Sequence, residues 1–212
     1  MKTTPAYTCI CQDCGIVFDI DKVMVNVIDI DEDEEAFIGF LSSSLNRVTC
    51  PHCFANFTYE IPMLIYSQRS GFAVKVDPYT PSSDVSLPTL LPYFFSMFNF
   101  KYRQVTYHIE ALEKVRIFKD GLDDRYIEYI KLNFFSDDDA TPMEDVNLCY
   151  KSSDNEKLYF EKLDYNGKLI KEFDVLKAKV KTCGFIDEPS VPSWQKINRY
   201  TVEDYIYKEE TT

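Results

Sequence analysis

The sequence predicts an α+β fold: a ribbon of β-strands bearing paired cysteines, a helical segment, then an antiparallel β region at the C-terminus. Three observations predict it. Two C-x-x-C pairs sit among short Val-, Ile- and Phe-rich runs. Residues 108–134 carry apolar side chains at helical spacing, interrupted at Gly121. Asn166-Gly167 separates two strand-like runs, as a type I′ hairpin turn requires.

Taken in order, residues 17–30 (VFDIDKVMVNVIDI) are rich in Val and Ile and partly alternating, which predicts a strand. The acidic run Asp29–Glu35 precedes AFIGFLSSSL, so a short helix is expected from about Glu34 to Leu45, its front turn favoured by negative charge. FANFTYEIPMLIY and GFAVKV read as strands. Residues 77–92, rich in Pro and Ser, read as a linker or long loop. FNFKYRQVTY predicts a further strand. HIEALEKVRIFKDG predicts a helix closed by Gly121, and a second helix follows, capped by Asp123 or Asp124, with Tyr126, Ile127, Ile130 and Phe134 on one side. Ser136–Asp139 and Pro142 read as a surface loop. VNLCYK, KLYFEKLD and a return from Lys168 read as strands. Alternation of Lys177, Lys179 and Lys181 with Leu176, Ala178 and Val180 extends strand character to Thr182. Thr201–Asp204 resembles a helical start. These elements divide the chain into residues 1–135, a ribbon plus helices, and residues 136–212, a β-rich extension packed on the same domain.

A chain of 212 residues is long enough for one substantial core. Glycine is scarce, with six, and no phosphate-cradling glycine motif is present. The formal charge is −12, a field that repels nucleic-acid phosphates and anionic lipids and favours basic partners. Its apolar runs are too short to span a bilayer, and MKTTPAYTCIC has no apolar leader core, so the expectation is a cytoplasmic protein. Reduced thiols in that compartment point to metal rather than disulfides.

Cys11-Gln-Asp-Cys14-Gly15 and Cys50-Pro-His-Cys53 have the spacing of two knuckles whose four sulfurs converge on one ion. A closed tetrathiolate shell leaves no open position, so Cys11, Cys14, Cys50 and Cys53 are expected to hold a structural Zn2+. A redox C-x-x-C pair needs only one such motif, at a helix start. Cys9 reads as a strand residue beside the knuckle, and Cys149 and Cys183 as small core side chains. His52 lies inside the second pair and should point outward.

CQDCG, TCPHC, YEIPMLIYS and, further on, LEKVRIFKDGLDDRYIEYIKL resemble, in that order, the bacterial CpXC domain family over about residues 7–135. Gln12 stands where the family's first motif has proline, a shaping residue and not a ligand. The resemblance implies a zinc ribbon joined to helices and does not imply an activity.

Asp120, Asp123, Asp124 and Glu128 lie close in sequence, a clustering that could serve Mg²⁺ binding or acid–base chemistry. The simpler reading makes them helix caps and dipole partners near Arg116, Lys119 and Arg125. An EF-hand starting at Asp29 fails, because Glu34 and Phe40 stand where glycine and glutamate are required. Asp29–Glu35 and Asp137–Asp139 are expected as solvated acidic surface. Lys101, Arg103, Lys114, Arg116 and Lys119 with Tyr102 and Tyr107 would suit a nucleic-acid strand, but Glu110 and Glu113 interrupt them. No catalytic motif is present. The sequence thus favours a non-catalytic zinc-ribbon protein that binds a protein with a basic surface, one form of which is an acidic, immunity-like inhibitor. A carboxylate enzyme and a nucleic-acid-binding ribbon are the alternatives, and homo-oligomerisation is left open.

Overall fold

The computed structural model describes residues 7–20, 24–78, 100–137, 146–164, 168–179, 194–198 and 201–202. Along them run β1 (Tyr7–Ile10), β2 (Val17–Ile20), β3 (Val27–Asp29), α1 (Glu34–Leu41), β4 (Arg47–Thr49), β5 (Asn56–Thr58), β6 (Met63–Ser67), β7 (Phe72–Val76), β8 (Lys101–Val105), α2 (His108–Lys119), α3 (Asp124–Asp137), β9 (Val146–Ser153), β10 (Lys157–Asp164) and β11 (Leu169–Leu176). The fold is mixed α+β, as the sequence predicts, with an antiparallel three-stranded sheet in the order β11-β10-β9 at its C-terminal end.

Two antiparallel hairpins, β1/β2 and β4/β5, form the ribbon. A mixed sheet in the order β3-β6-β7-β8 forms the centre, with β3 parallel to β6 and β7 parallel to β8. The crossover from β3 to β6 carries α1 and the whole β4/β5 hairpin. That is how residues far apart in sequence bring the two cysteine pairs together.

Residues 17–30 are not one strand. β2 belongs to the first hairpin and β3 to the central sheet. Between them the backbone of Val25 bonds to a side chain instead of a ladder: its N–H donates to Asn46 Oδ1 and its carbonyl accepts from Asn46 Nδ2, both at 2.9 Å. Buried Asn46, in the left-handed region at φ 56°, therefore replaces a strand partner at the point where the chain changes sheets. FANFTYEIPMLIY also splits, into β5 and β6, around Pro62, which has no N–H to contribute to a ladder.

α1 stops at Leu41, short of the expected Leu45. The Ser42 hydroxyl donates to the Ile38 carbonyl at 2.8 Å, and Ser43 turns to φ 52°. Asp33 caps its front, accepting from Ala36 N–H at 3.0 Å. α2 ends in a Schellman cap. Gly121, at φ 69°, donates to Phe118 O at 3.1 Å, and Leu122 donates to Ile117 O at 3.0 Å. Two helices meeting at Gly121 are therefore present as expected. α3 runs through Asp137, so Ser136 and Asp137 are helical and not loop, while residues 138–145 lie outside the described residues.

β11 ends at Leu176, and Lys177–Lys179 form a 3-10 turn rather than more strand. Lys177 N–H donates to Glu156 O at 2.9 Å, one step beyond the last β10/β11 pair, and the turn begins there. Asn166-Gly167, Cys183 and the linker from Tyr79 lie outside the described residues, as does Thr201–Asp204 beyond Val202. Gln195 forms a parallel bridge with Arg103, laying the later chain along β8. α2 is packed on two sides, against β7 and β8 and against β9. One continuous core joins Phe40, Ile65, Phe72, Val115 and Phe118 to Leu148, Tyr150, Leu158 and Phe160 of the C-terminal sheet. Among the described residues no helix is long and apolar enough to cross a membrane.

Candidate metal centre

Each hairpin turns through one cysteine pair, and the two turns are built alike. In the first, Cys11 N–H donates to Ile16 O at 2.9 Å and Gly15 N–H to Cys11 O at 2.8 Å. In the second, Cys50 N–H donates to Ala55 O at 2.9 Å and Phe54 N–H to Cys50 O at 3.0 Å. The hairpins face each other through Phe18 and Phe57, whose ring centroids are 6.5 Å apart, and through Tyr59 Oη, which donates to Thr8 O at 3.1 Å.

This pairing brings the sulfurs of Cys11, Cys14, Cys50 and Cys53 within 4.8 Å of one another. Cys11 Sγ lies 3.6 Å from Cys53 Sγ, and Cys14 Sγ 3.7 Å from Cys50 Sγ. A tetrahedral ion with metal–sulfur bonds of about 2.3 Å separates its sulfurs by about 3.8 Å. The cluster therefore fits a metal ion such as zinc. His52 N–H points at Cys50 Sγ from 3.4 Å. Backbone N–H groups of Cys53 and His52 hold the Cys50 thiol down at about 6, whereas burial and the neighbouring sulfurs, against the backbone N–H of Ala55, push Cys53 up to about 12.

Cys9 lies on β1 behind the knuckle, buried, its thiol pushed up by burial and by nearby Cys11 and Cys50. His52 is exposed, and Cys149 is buried in the C-terminal sheet. All three stand where the sequence reading put them.

The matched turns differ at the position that follows the second cysteine. Gly15, at φ 72°, corresponds to Phe54, at φ 62°. The left-handed region is free to glycine and costs other residues roughly 1–2 kcal/mol. Phe54 accepts that strain while its side chain is 73% exposed. Ile10 and Val17, directly opposite each other on β1 and β2, are 64% and 60% exposed.

The carboxylates near Gly121 do not form an open site, and apart from Arg125, which pairs with Asp123, their partners are not those expected. Asp124 and Glu128 are buried in a chain of alternating charges. Arg103 on β8 donates to both Asp124 oxygens, Nε at 2.8 Å and Nη2 at 2.9 Å. Lys114 Nζ bridges Asp124 at 3.1 Å and Glu128 at 2.9 Å. Lys131 Nζ bridges Glu128 and Glu113, both at 3.0 Å. Glu113 then accepts from Tyr150 N–H on β9 at 2.5 Å. Burial opposes ionisation of Asp124, but Lys114 and Arg103 outweigh it and hold the carboxyl down at about 2. Lys114 and Lys131 overcome the same penalty at Glu128, also lowering it.

Asp123 keeps the capping role, accepting from Arg125 N–H at 2.9 Å and pairing with the Arg125 side chain. Asp120 accepts from Tyr150 Oη. Neither Arg116 nor Lys119 was needed to explain the four carboxylates; Arg103, Lys114 and Lys131 were missed. A signal for two of them was present, since Lys114 and Lys131 fall on the apolar stripes of their helices, near Ala111 and Phe118 and near Ile127.

The basic-aromatic patch is not assembled, because Arg103 and Lys114 lie inside this chain and Tyr102 is buried. Within the acidic run, Asp33 caps α1, and Asp31 accepts from Ser67 Oγ at 2.9 Å and from Arg69 N–H at 2.9 Å. Glu32, Glu34 and Glu35 are exposed.

No curated protein and no solved structure gives a significant match to this chain. A family model described as CpXC protein matches residues 9–131, which holds both cysteine turns, the central sheet, α2 and most of α3, and ends at the last lysine of the buried charge chain. The chain belongs to the CpXC protein family.

Proposed function

We propose that this is a non-catalytic protein whose four cysteines hold a structural zinc ion and whose exposed surface binds another protein, one with a basic face. The observation that carries it is the fate of the reactive groups. Four sulfurs at tetrahedral spacing fill the shell of a zinc ion, leaving no position for substrate. Asp124 and Glu128, the centre of the enzyme alternative, are spent on ion pairs out of solvent. A net charge of −12 and the exposed Glu32, Glu34 and Glu35 favour encounter with a basic surface. An immunity-like inhibitor, its carboxylates facing the basic cleft of a nuclease, is the form of this reading with the clearest chemistry.

The test is affinity capture on the tagged, zinc-loaded protein, with wild type compared with a Glu32→Gln, Glu34→Gln, Glu35→Gln variant at low and high salt. A basic protein retained at low salt and lost from the variant supports the reading. Capture that ignores both salt and the substitutions overturns it, as does a hydrolytic activity lost on Asp124→Asn in a folded protein.

A further inference from the structure

β11 is an edge of the C-terminal sheet. β10 pairs with one side of it, and among the described residues no strand lies on the other. Every second residue of an edge strand turns its N–H and C=O outward, a template for one more strand. β11 is eight residues long and contains no proline. Phe173 and Val175 are half-buried, and its other residues are exposed. Leu169 and Ile170 at one end and Leu176 at the other are exposed apolar side chains.

The charges between those ends act against a second copy. Two copies joined edge to edge by a two-fold axis set one residue opposite its own counterpart and the rest symmetrically about it. An axis through Lys171 sets lysine against lysine. An axis through Glu172 or Asp174 sets a carboxylate against its own copy, and one through Phe173 sets Glu172 against Asp174 twice. These are the central registers, and each places like charges directly opposite, which destabilises a ladder. Registers about the strand ends leave little overlap.

The same strand calls for a cation. Phe173 stacks on Phe160 of the core, so by alternation Ile170, Glu172, Asp174 and Leu176 share the opposite, solvent face. On that face Glu161 of β10 and Glu172 stand directly opposite each other, and Lys151 of β9 reaches them at 2.9 and 2.6 Å. Among the described residues this row has one lysine for two carboxylates. Asp174, paired with Lys157 at 2.8 Å, lies beside it. A lysine or arginine arriving opposite Glu172 continues the alternation of charge across the sheet, with Ile170 and Leu176 giving apolar contacts on either side. We infer that the open edge of β11 is a strand-addition site for an extended basic segment of a partner protein, with lysine or arginine opposite Glu172 and Asp174 and apolar residues opposite Ile170 and Leu176. This rests on the protein-binding reading above and names the surface and the mode of binding.

The test uses the zinc-loaded full chain and two labelled peptides, Leu-Val-Lys-Thr-Lys-Thr-Ile-Val and the same sequence with Glu in place of each Lys. Affinity is read by fluorescence anisotropy and backbone protection by hydrogen exchange. The Lys peptide is expected to bind about tenfold more tightly than the Glu peptide, more weakly as salt rises, and to slow exchange at the outward amides of β11. Glu172→Lys, an exposed substitution that places a cation opposite Glu161, should reverse the preference between the peptides. Ile170→Ser combined with Leu176→Ser should weaken the Lys peptide and leave the preference in place. Equal binding of the two peptides, or binding that leaves the β11 amides unprotected, overturns the inference. Protection of those amides that grows with protein concentration, without peptide, also overturns it and assigns the edge to a second copy. If Glu172→Lys still captures the basic partner of the preceding experiment and the glutamine variant does not, the strand-addition site fails and protein binding stands; if both capture it regardless of salt, both fail.

Discussion

Arg103 and Asp124 meet in a two-point ion pair with no solvent exposure on either side chain, joining β8 to the first turn of α3. Arg103 also donates to Tyr102 O at 3.0 Å and to Gln195 Oε1 at 2.9 Å, and Asp124 also pairs with Lys114 at 3.1 Å. Asp124→Asn should therefore destabilise the fold by about 3–5 kcal/mol, the usual cost of leaving one partner of a buried pair uncompensated. Urea unfolding monitored by circular dichroism measures it. A loss below about 1 kcal/mol would show that the pair is not buried in solution.

The same carboxyl sets an acid limit. Its folded value of about 2 lies below its ordinary 3.8, so the unfolded chain takes up the proton first as pH falls. Its contribution, on the order of 2 kcal/mol, is fully present above about pH 4 and is lost as pH falls towards 2. Glu128, also lowered, acts in the same sense. Stability against urea measured from pH 6 to pH 2 should decline in wild type, and decline less steeply in Asp124→Asn.

Metal content follows the cysteine cluster. Cys11→Ser and Cys50→Ser should lose bound zinc in elemental analysis and lower the melting temperature, whereas Cys149→Ser, far from the cluster, should retain one equivalent. A strong chelator should destabilise wild type, because the binding free energy of a structural site contributes to folding. Full zinc content in Cys50→Ser would reject this ligand set.

Gly121 tests the helix junction. A Cβ there meets no atom within 4 Å, so the penalty for Gly121→Ala is conformational, about 1 kcal/mol for a left-handed residue. Gly121→Val should cost more. Both are measured by thermal unfolding, and an unchanged melting temperature in Gly121→Val would contradict the positive φ.

Glu113 ties α2 to the edge of the C-terminal sheet through Tyr150 N–H. Glu113→Leu should leave that amide without an acceptor and Lys131 with one carboxylate fewer. Hydrogen exchange at Tyr150 is expected to accelerate more than at Phe160, whose N–H lies in the sheet interior. Equal acceleration at both positions would indicate global unfolding rather than release of the edge.

Local chemistry accounts for what could be read in advance. C-x-x-C spacing is a short-range constraint, so both knuckles, the glycine turn of the first and the exposed position of His52 follow from residues only a few apart. The Schellman cap at Gly121 and the capping role of Asp123 are similarly local. Where a run of apolar residues was long, local reading failed. Residues 17–30 look like one strand because period and propensity are blind to Asn46, which reaches across the fold to Val25 and lets the chain pass from one sheet to another.

By itself, the sequence determined the α+β class, the four-cysteine cluster, the two helices parted at Gly121 and the strands of the C-terminal sheet. Only the tertiary structure decided which charges would meet. Arg103, Lys114, Asp124, Glu128, Lys131 and Glu113 come from a strand and two helices, and what makes each tolerable in the core is an opposite charge supplied by another element. A helix cap is set by its own backbone, a few residues away. The burial of an ion depends on everything packed around it, and that exists only once the chain has folded.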